Sequence, residues 1–286
     1  MKLSSLYTGE KTVLSFEVFP PKKTSSVETV YNAIAEIQSL RPDYISVTYG
    51  AGGSSINNFT CDIASLIKNT YGIESMAHLT CVNSTKEDVD RILAQLKENN
   101  IENILALRGD KNPAFEPKTD FIYASELVTY IKEHGDFDVS VAGYPETHFE
   151  APSAAADIQN LKHKLDCGAQ EVVTQLFFNN DHFYRFRDNC DIAGITAPIS
   201  AGIMPVTNKN QIERMVTMCG ASLPPKFVKM IQKYEDRPQA LIDAGIAFAV
   251  DQIVDLIANG VDGIHIYTMN NPYVARKITE SIKGLL

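Results

Sequence analysis

The five cysteines of this chain, at positions 61, 81, 167, 190 and 219, include no Cys-x-x-Cys pair, and their number is odd. That pattern argues against a zinc knuckle or a disulfide framework, so the expected setting is a reducing cytoplasm. A long membrane-type run is missing too. The most apolar stretch, Ala240 to Ala258, is broken by Asp243, Asp251 and Asp255, and its Ile242, Ile246, Ala249, Ile253 and Ile257 recur at the spacing of an amphipathic helix. The first dozen residues lack the apolar centre of a secretory signal. Basic residues are in deficit, 26 Lys and Arg against 35 Asp and Glu, for a net charge of −9. Nucleic acid and anionic membrane are therefore poor partners, whereas a small anionic ligand responds to local charge. A dinucleotide fingerprint is also absent. Gly50-Ala51-Gly52-Gly53-Ser54-Ser55 has serine where the third glycine belongs, and the next strand ends on Leu79 and Thr80 without an acid. It reads better as a turn that lets backbone approach a flat ligand.

What is present is organised around Val13-Leu14-Ser15-Phe16-Glu17-Val18-Phe19, closed by Pro20 and Pro21. β-Branched and aromatic residues dominate it and the prolines cannot continue a ladder, so it reads as a strand with a sharp exit. Alternation puts Leu14, Phe16 and Val18 on one face and Ser15, Glu17 and Phe19 on the other. Glu17 is the one ionisable group of a segment that looks buried on both faces. An unpaired charge there is costly, so its pKa should rise towards that of a general acid. A Glu paired with a buried Arg or Lys, or a less buried strand, fits the stretch equally well.

Further strands are expected at Tyr44–Thr48, Ser75–Leu79, Asn103–Leu107, Val139–Ala142, Glu171–Leu176, Ile199–Ile203 and Gly263–Tyr267. Helical patterns follow at 26–40, 56–70, 84–96, 119–134, 153–166, 181–190, 208–219, 240–258 and 272–283, with Ser84 and Glu87 as a capping box and Asn208 and Gln211 as another cap. Eight βα units in 286 residues with 44% hydrophobic content predict one closed (β/α)₈ barrel, an α/β TIM barrel spanning 1–286 as a single catalytic domain. The stretch from Pro224 to Asp236 is a short insertion before the last strand and reads as decoration.

In such a barrel the working face lies at the C-terminal strand ends. The unusual residues fall there: Glu17, Thr48, His78, Arg108 with Asp110, Tyr144 with His148, Gln175 and Tyr267. Each alone has an ordinary explanation, since a histidine can be a bonded core residue, Asp110 a turn cap and Gln211 only the partner of Asn208. Their joint placement is the signal. One helix also carries Asp157, Asn160, His163 and Lys164 at i, i+3, i+6 and i+7. That face is either solvated surface or a phosphate and ribose clamp.

In order along the chain, Phe-Glu-Val-Phe-Pro-Pro at 16–21, Val-Thr-Tyr-Gly-Ala at 47–51, His-Leu-Thr-Cys at 78–81, Ala-Leu-Arg-Gly-Asp at 106–110, Tyr-Pro-Glu-Thr-His at 144–148, Thr-Gln-Leu-Phe-Phe at 174–178 and Gly-Ile-Met-Pro-Val at 202–206 resemble the motifs of the methylenetetrahydrofolate reductase family. The resemblance covers nearly the whole chain. It implies an FAD-containing barrel that reduces 5,10-methylenetetrahydrofolate to 5-methyltetrahydrofolate with NADH or NADPH in a ping-pong cycle, supplying methyl groups for methionine synthesis. It also implies the short prokaryotic form without a regulatory domain, and a homo-oligomer. Carried over by motif, Glu17 is the general acid that protonates the bridging nitrogen of the folate imidazolidine ring, and Asp110 lies by the flavin pyrimidine edge. Thr48, Tyr49, Ala51, His78, Arg108, Gly109, Asp110, Tyr123, Ala124, Tyr144, His148, Ala151, Asp157, Asn160, His163 and Lys164 fall where the family holds FAD. Gln175, Gln211, Met215, Tyr267 and Asn271 are the implied substrate contacts.

Three positions depart from the pattern. His163 stands where some bacterial members have an Arg, Met215 where they have a Phe, and Asn271 where they have an Arg near the folate's glutamate tail. Among other readings, a metal-dependent barrel hydrolase would need His78, His148, His265, Glu17 and Asp110 to converge. A flavin- or folate-binding regulator without turnover would not need Glu17 and Asp110.

Overall fold

The strands are short and rich in β-branched residues, and they close into a ring. They are β1 (Val13–Val18), β2 (Tyr44–Val47), β3 (Glu74–Thr80), β4 (Asn103–Leu107), β5 (Asp138–Gly143), β6 (Glu171–Thr174), β7 (Ile199–Ile203) and β8 (Gly263–Tyr267). In this computed structural model, which describes residues 1–21, 26–49, 59–82, 84–110, 118 and 120–286 (backbone only at 213–215, 217 and 218), they form a closed parallel barrel in sequence order. Strand β8 returns to β1 with Tyr267 opposite Glu17, and β2 sets Ser46 opposite the same residue.

Around the ring lie α1 (Val27–Ile37), α2 (Phe59–Ser65), α3 (Lys86–Glu98), α4 (Ala124–His134) and α5 (Ala154–Asp166). They continue with α6 (Asn180–Ile192), α7 (Lys209–Cys219), α8 (Pro225–Tyr234), α9 (Pro238–Ala258) and α10 (Pro272–Ile282). Outward residues of the strands, such as Phe16, Val18, Ile45, Val47, Ile264 and Ile266, pack against the apolar stripes of these helices in one buried cluster. Among the described residues no helix is long and apolar enough to cross a membrane.

Several expected boundaries shift. Strand β1 stops at Val18, one residue before Phe19, and β2 stops before Thr48. Strand β6 ends at Thr174, short of Leu176. Of the helix expected over 56–70, the part from 59 is seen, and it changes from α to π winding at Leu66–Thr70. The capping box of α3 uses Thr85 and Asp88, because Ser84 turns its hydroxyl back onto the carbonyl of Thr80 at 2.8 Å. The insertion does more than decorate. Its helix α8 brings Phe227 and Ile231 into a second apolar cluster with Leu176, Phe178, Met204, Val206 and Ile212, and Phe227 stacks on Phe178 at 4.5 Å. That cluster builds one wall of the barrel mouth.

The barrel floor was not legible as an element. A 3-10 turn, Leu3–Leu6, lies below the ring, and Leu3 packs with Val13, Tyr44, Met76, Leu105 and Val173. Above it Glu171 is buried and accepts from Tyr7, from Tyr44 at 3.0 Å, from Ser140 at 2.9 Å and from Ser200 at 3.3 Å. Burial pushes its carboxyl pKa upward against these hydrogen bonds.

Candidate active site

Alternation along the strands places Ser15 and Glu17 of β1 in the lumen, with His78 of β3 and His265 and Tyr267 of β8. Glu17 is only 6% exposed. Its Oε2 lies 3.6 Å from Nε2 of His78 and 3.6 Å from Nε2 of His265. Among the described residues no Lys or Arg pairs with it, so neither the expected cationic partner nor purely apolar walls describe its surroundings. Two imidazoles do. His265 is held by Ser15, whose Oγ is 2.7 Å from Nδ1, and by Ser46 at 3.4 Å from Nε2. His78 is different, because its buried Nε2 has no hydrogen-bond partner. Burial lowers the His78 pKa to about 4, outweighing the nearby Glu17, so the ring is neutral at pH 7.

Tyr267 spans the lumen above this group and donates to the carbonyl of Thr174 at 2.7 Å. Gly202 makes room for it. A Cβ there would lie 2.3 Å from the Thr174 carbonyl oxygen and 2.6 Å from the Tyr267 hydroxyl. Gln175 follows Thr174, and its side-chain oxygen accepts from the amide of Leu176 at 2.9 Å. Thr48 continues the β1–β2 ladder through its amide to Val18 at 3.0 Å, and Tyr49 packs partly buried beside it.

On the opposite rim, Arg108 grips Glu150 with both terminal guanidinium nitrogens, at 2.5 and 3.1 Å, which raises the Arg108 pKa. Gly109 takes φ +82°, a turn that a side chain would strain, and Asp110 after it is exposed. The charge of Asp110 nevertheless contributes to raising the pKa of Tyr144 and of Cys219, behind burial in each case. Tyr144 and His148 meet edge to face at 4.6 Å, and burial carries the Tyr144 phenol up to about 12. Burial and Arg108 both lower His148.

The face on α5 comes together only in part. Asp157 accepts from the amide of His148 at 2.9 Å, tying the helix to the β5–α5 loop, where Ala151 closes a turn on the carbonyl of His148 at 2.8 Å. Lys164 is partly exposed along its length, but its ammonium donates to the carbonyl of Ala142, and burial lowers its pKa to about 8. Asn160 and His163 are exposed. Tyr123, 60% exposed, stands at the N-terminus of α4 just before Ala124.

Of the expected substrate contacts, Gln211 is held at the start of α7, where its side-chain oxygen accepts from Thr207 at 2.9 Å and its amide donates to Asn208 at 2.9 Å. Asn271 caps α10 through the amide of Val274 at 3.2 Å. Ala51, the glycine-rich turn around it and the side chain of Met215 lie outside the described residues. Ser15 and Ser46 escaped the reading as site residues, and His265 entered it only as a ligand of the metal-hydrolase alternative, although Ser15 shares a strand face with Glu17 and that alternation could have found it. A bridge across the mouth was also missed. Glu146 accepts from the amide of Ser222 at 3.0 Å and lies 3.5 Å from His182, joining the β5–α5 loop to the chain after α7.

The fit to a flavin dinucleotide rests on three features of these walls. The orphaned Nε2 of His78 needs a polar partner, the sunken ammonium of Lys164 suits a phosphate, and the Tyr144–His148 pair offers an aromatic wall. The metal-hydrolase arrangement does not assemble. Glu17, His78 and His265 meet, but His148 sits on the β5–α5 loop and Asp110 is exposed, and among the described residues no three His, Cys, Asp or Glu side chains have a metal site's spacing.

The chain covers 100% of a solved Clostridium thermocellum protein described as binding two copies of 5-methyl-5,6,7,8-tetrahydrofolic acid, with a TM-score of 0.71 and 13% identity over 100% of its own length, which shows a shared fold. It is 40% identical to the 5,10-methylenetetrahydrofolate reductase of Pectobacterium carotovorum, over 94% of this chain and 89% of that protein. It is 39% identical to the enzyme of the same name from Escherichia coli, over 94% and 90%. With Methylenetetrahydrofolate reductase (NADH) 1 of Arabidopsis thaliana it shares 36% identity over 94% of this chain and 48% of the plant protein. The family profile described as Methylenetetrahydrofolate reductase matches residues 2–283, and the chain belongs to that enzyme family.

Proposed function

We propose that this protein reduces 5,10-methylenetetrahydrofolate to 5-methyltetrahydrofolate, with FAD in the barrel mouth and NADH or NADPH as the reductant, the two substrates taking turns in one cleft. The observation that carries this reading is the buried carboxyl of Glu17 at the top of the lumen, flanked by two imidazoles and away from any Lys or Arg among the described residues. FAD, when bound, supplies the two-electron carrier between the nicotinamide and the folate methylene carbon.

The residues of the chain do the rest. Glu17 gives its proton to the bridging nitrogen of the imidazolidine ring, which opens to an iminium cation at the carbon that will accept hydride. Neutral His78 does not compete for that proton. Asp110, exposed on the rim, lends negative charge to the cationic stage of the reaction. Lys164 meets phosphate, Asp157 holds the loop of His148 in place, and Tyr144 with His148 walls the site. Thr48, Tyr49, Arg108, Gly109, Tyr123, Ala124, Ala151, Asn160 and His163 complete the rim on which the cofactor rests. For Arg108 to join them, Glu150 must share or release its guanidinium. Gln175 and Tyr267 serve the alternating substrates, and Gln211 and Met215 are assigned to the folate.

The test is optical. The purified protein should be yellow, bleach anaerobically with NADH or NADPH, and recover its colour on adding methylenetetrahydrofolate. A colourless protein that binds no flavin, or a flavin that never bleaches, would count against the reading.

A further inference from the structure

The β1–β8 ladder ends at the pair Glu17–Tyr267, and nothing in the backbone can extend it far, because Pro20 and Pro21 have no N–H to donate. The end of β1 is nevertheless held, by side chains from the loop after β8. Thr268 places its Oγ1 2.6 Å and its amide 3.3 Å from the carbonyl oxygen of Glu17, donating to it twice. Asn270 then treats Phe19 as a ladder partner. Its Oδ1 accepts from the amide of Phe19 at 2.8 Å and its Nδ2 donates to the carbonyl of Phe19 at 2.8 Å.

The loop is shaped for this. Met269 and Asn270 both adopt left-handed backbone, at φ +52° and +55°, a conformation Asn tolerates and Met does not favour. That reversal turns the Asn270 amide back towards β1. The amide of Asn270 also donates to Oγ1 of Thr268 at 3.2 Å, so the two clamps are one unit. Thr268 is 2% exposed, which leaves its hydroxyl no solvent to bond instead.

We propose that Thr268 and Asn270 are positioning residues for the proton donor. By fixing the carbonyl of Glu17 and both polar groups of Phe19, they set where the Glu17 carboxyl sits relative to the folate nitrogen. The proposal rests on the role given above to Glu17. Misplacing a reacting group by an ångström costs up to roughly a hundredfold in rate, so loss of one clamp is enough to be read kinetically.

The experiment uses FAD-loaded enzyme and follows the two half-reactions separately by stopped flow. Thr268→Val and Asn270→Ala are expected to slow oxidation of the reduced flavin by methylenetetrahydrofolate by roughly tenfold while leaving reduction by NAD(P)H within about twofold. Thr268→Ser keeps the hydroxyl and should restore the folate step. In a Glu17→Gln background neither substitution should slow that step further, because the group they position has lost its proton. Should Thr268→Val fail to fold, the partly exposed Asn270 position still supplies the comparison. Equal slowing of both half-reactions, no slowing at all, or full additivity with Glu17→Gln would overturn the proposal. A Glu17→Gln enzyme with an intact folate step would instead overturn the proton-donor reading itself, which separates the two failures.

Discussion

His78 aims Nε2 at Oε2 of Glu17 across 3.6 Å, and that nitrogen forms no hydrogen bond. A charged imidazole would attract the carboxylate strongly at that range, yet burial wins and holds the ring neutral, with a pKa near 4. The carboxyl of Glu17 therefore faces an uncharged imidazole.

This relationship makes stability depend on pH. Between about pH 6.5, where an unfolded histidine titrates, and pH 4, the unfolded chain binds a proton that the folded chain refuses. Stability should fall as pH drops through that window, by about 3 kcal/mol from this residue. Urea unfolding of the wild type and of His78→Gln at pH 7 and pH 4.5 would check it. The variant should show the shallower pH dependence, and equal slopes would mean that the imidazole is not held neutral by burial.

Lys164 predicts a proton-linked cofactor affinity. Burial lowers its pKa to about 8, and an adjacent phosphate would raise it again, so binding takes up a proton near and above that pH. FAD affinity of the apoprotein, measured by quenching of flavin fluorescence, should be greatest below pH 8 and decline above it. Lys164→Met should bind more weakly and lose the decline. A Met variant with the wild-type pH profile would place the phosphate elsewhere.

Gly202→Ala should damage the barrel more than Tyr267→Phe. The first forces a methyl against the backbone oxygen of Thr174 at 2.3 Å and is expected to cost about 3 kcal/mol, and the second loses one hydrogen bond worth about 1 kcal/mol. Because the clash is with backbone as well as with the Tyr267 hydroxyl, Tyr267→Phe should not rescue Gly202→Ala. Thermal or urea unfolding of the double variant would reveal a rescue if only the hydroxyl were in the way.

The barrel was legible because each strand carries its own local signature, with apolar alternation and a turn or helix signal after it. Tyr44, His265 and Glu171 were opaque for the opposite reason. Their roles depend on which residues meet across the lumen, and this is set by the register of strands far apart in sequence, as when Ser15 of β1 reaches His265 of β8 at 2.7 Å. The 3-10 turn at Leu3–Leu6 is too short to have a periodicity, and its meaning comes from the floor it covers. At the capping box of α3 two candidate pairs stood one residue apart, Ser84 with Glu87 and Thr85 with Asp88, and only the competing bond from Ser84 to Thr80 decided between them. Glu17 itself stood out at once, as the one ionisable group of an otherwise buried-looking strand. His78 stood out as well, at a strand end, but its meeting with His265 around the Glu17 carboxyl depends on register and did not.

The most direct measurement is anaerobic stopped flow on Glu17→Gln, which keeps the shape of the side chain and removes its acid. The account predicts bleaching of the flavin by NAD(P)H at close to the wild-type rate, and almost no return of colour with methylenetetrahydrofolate. Normal recovery with folate, or equal loss of both steps, would contradict it.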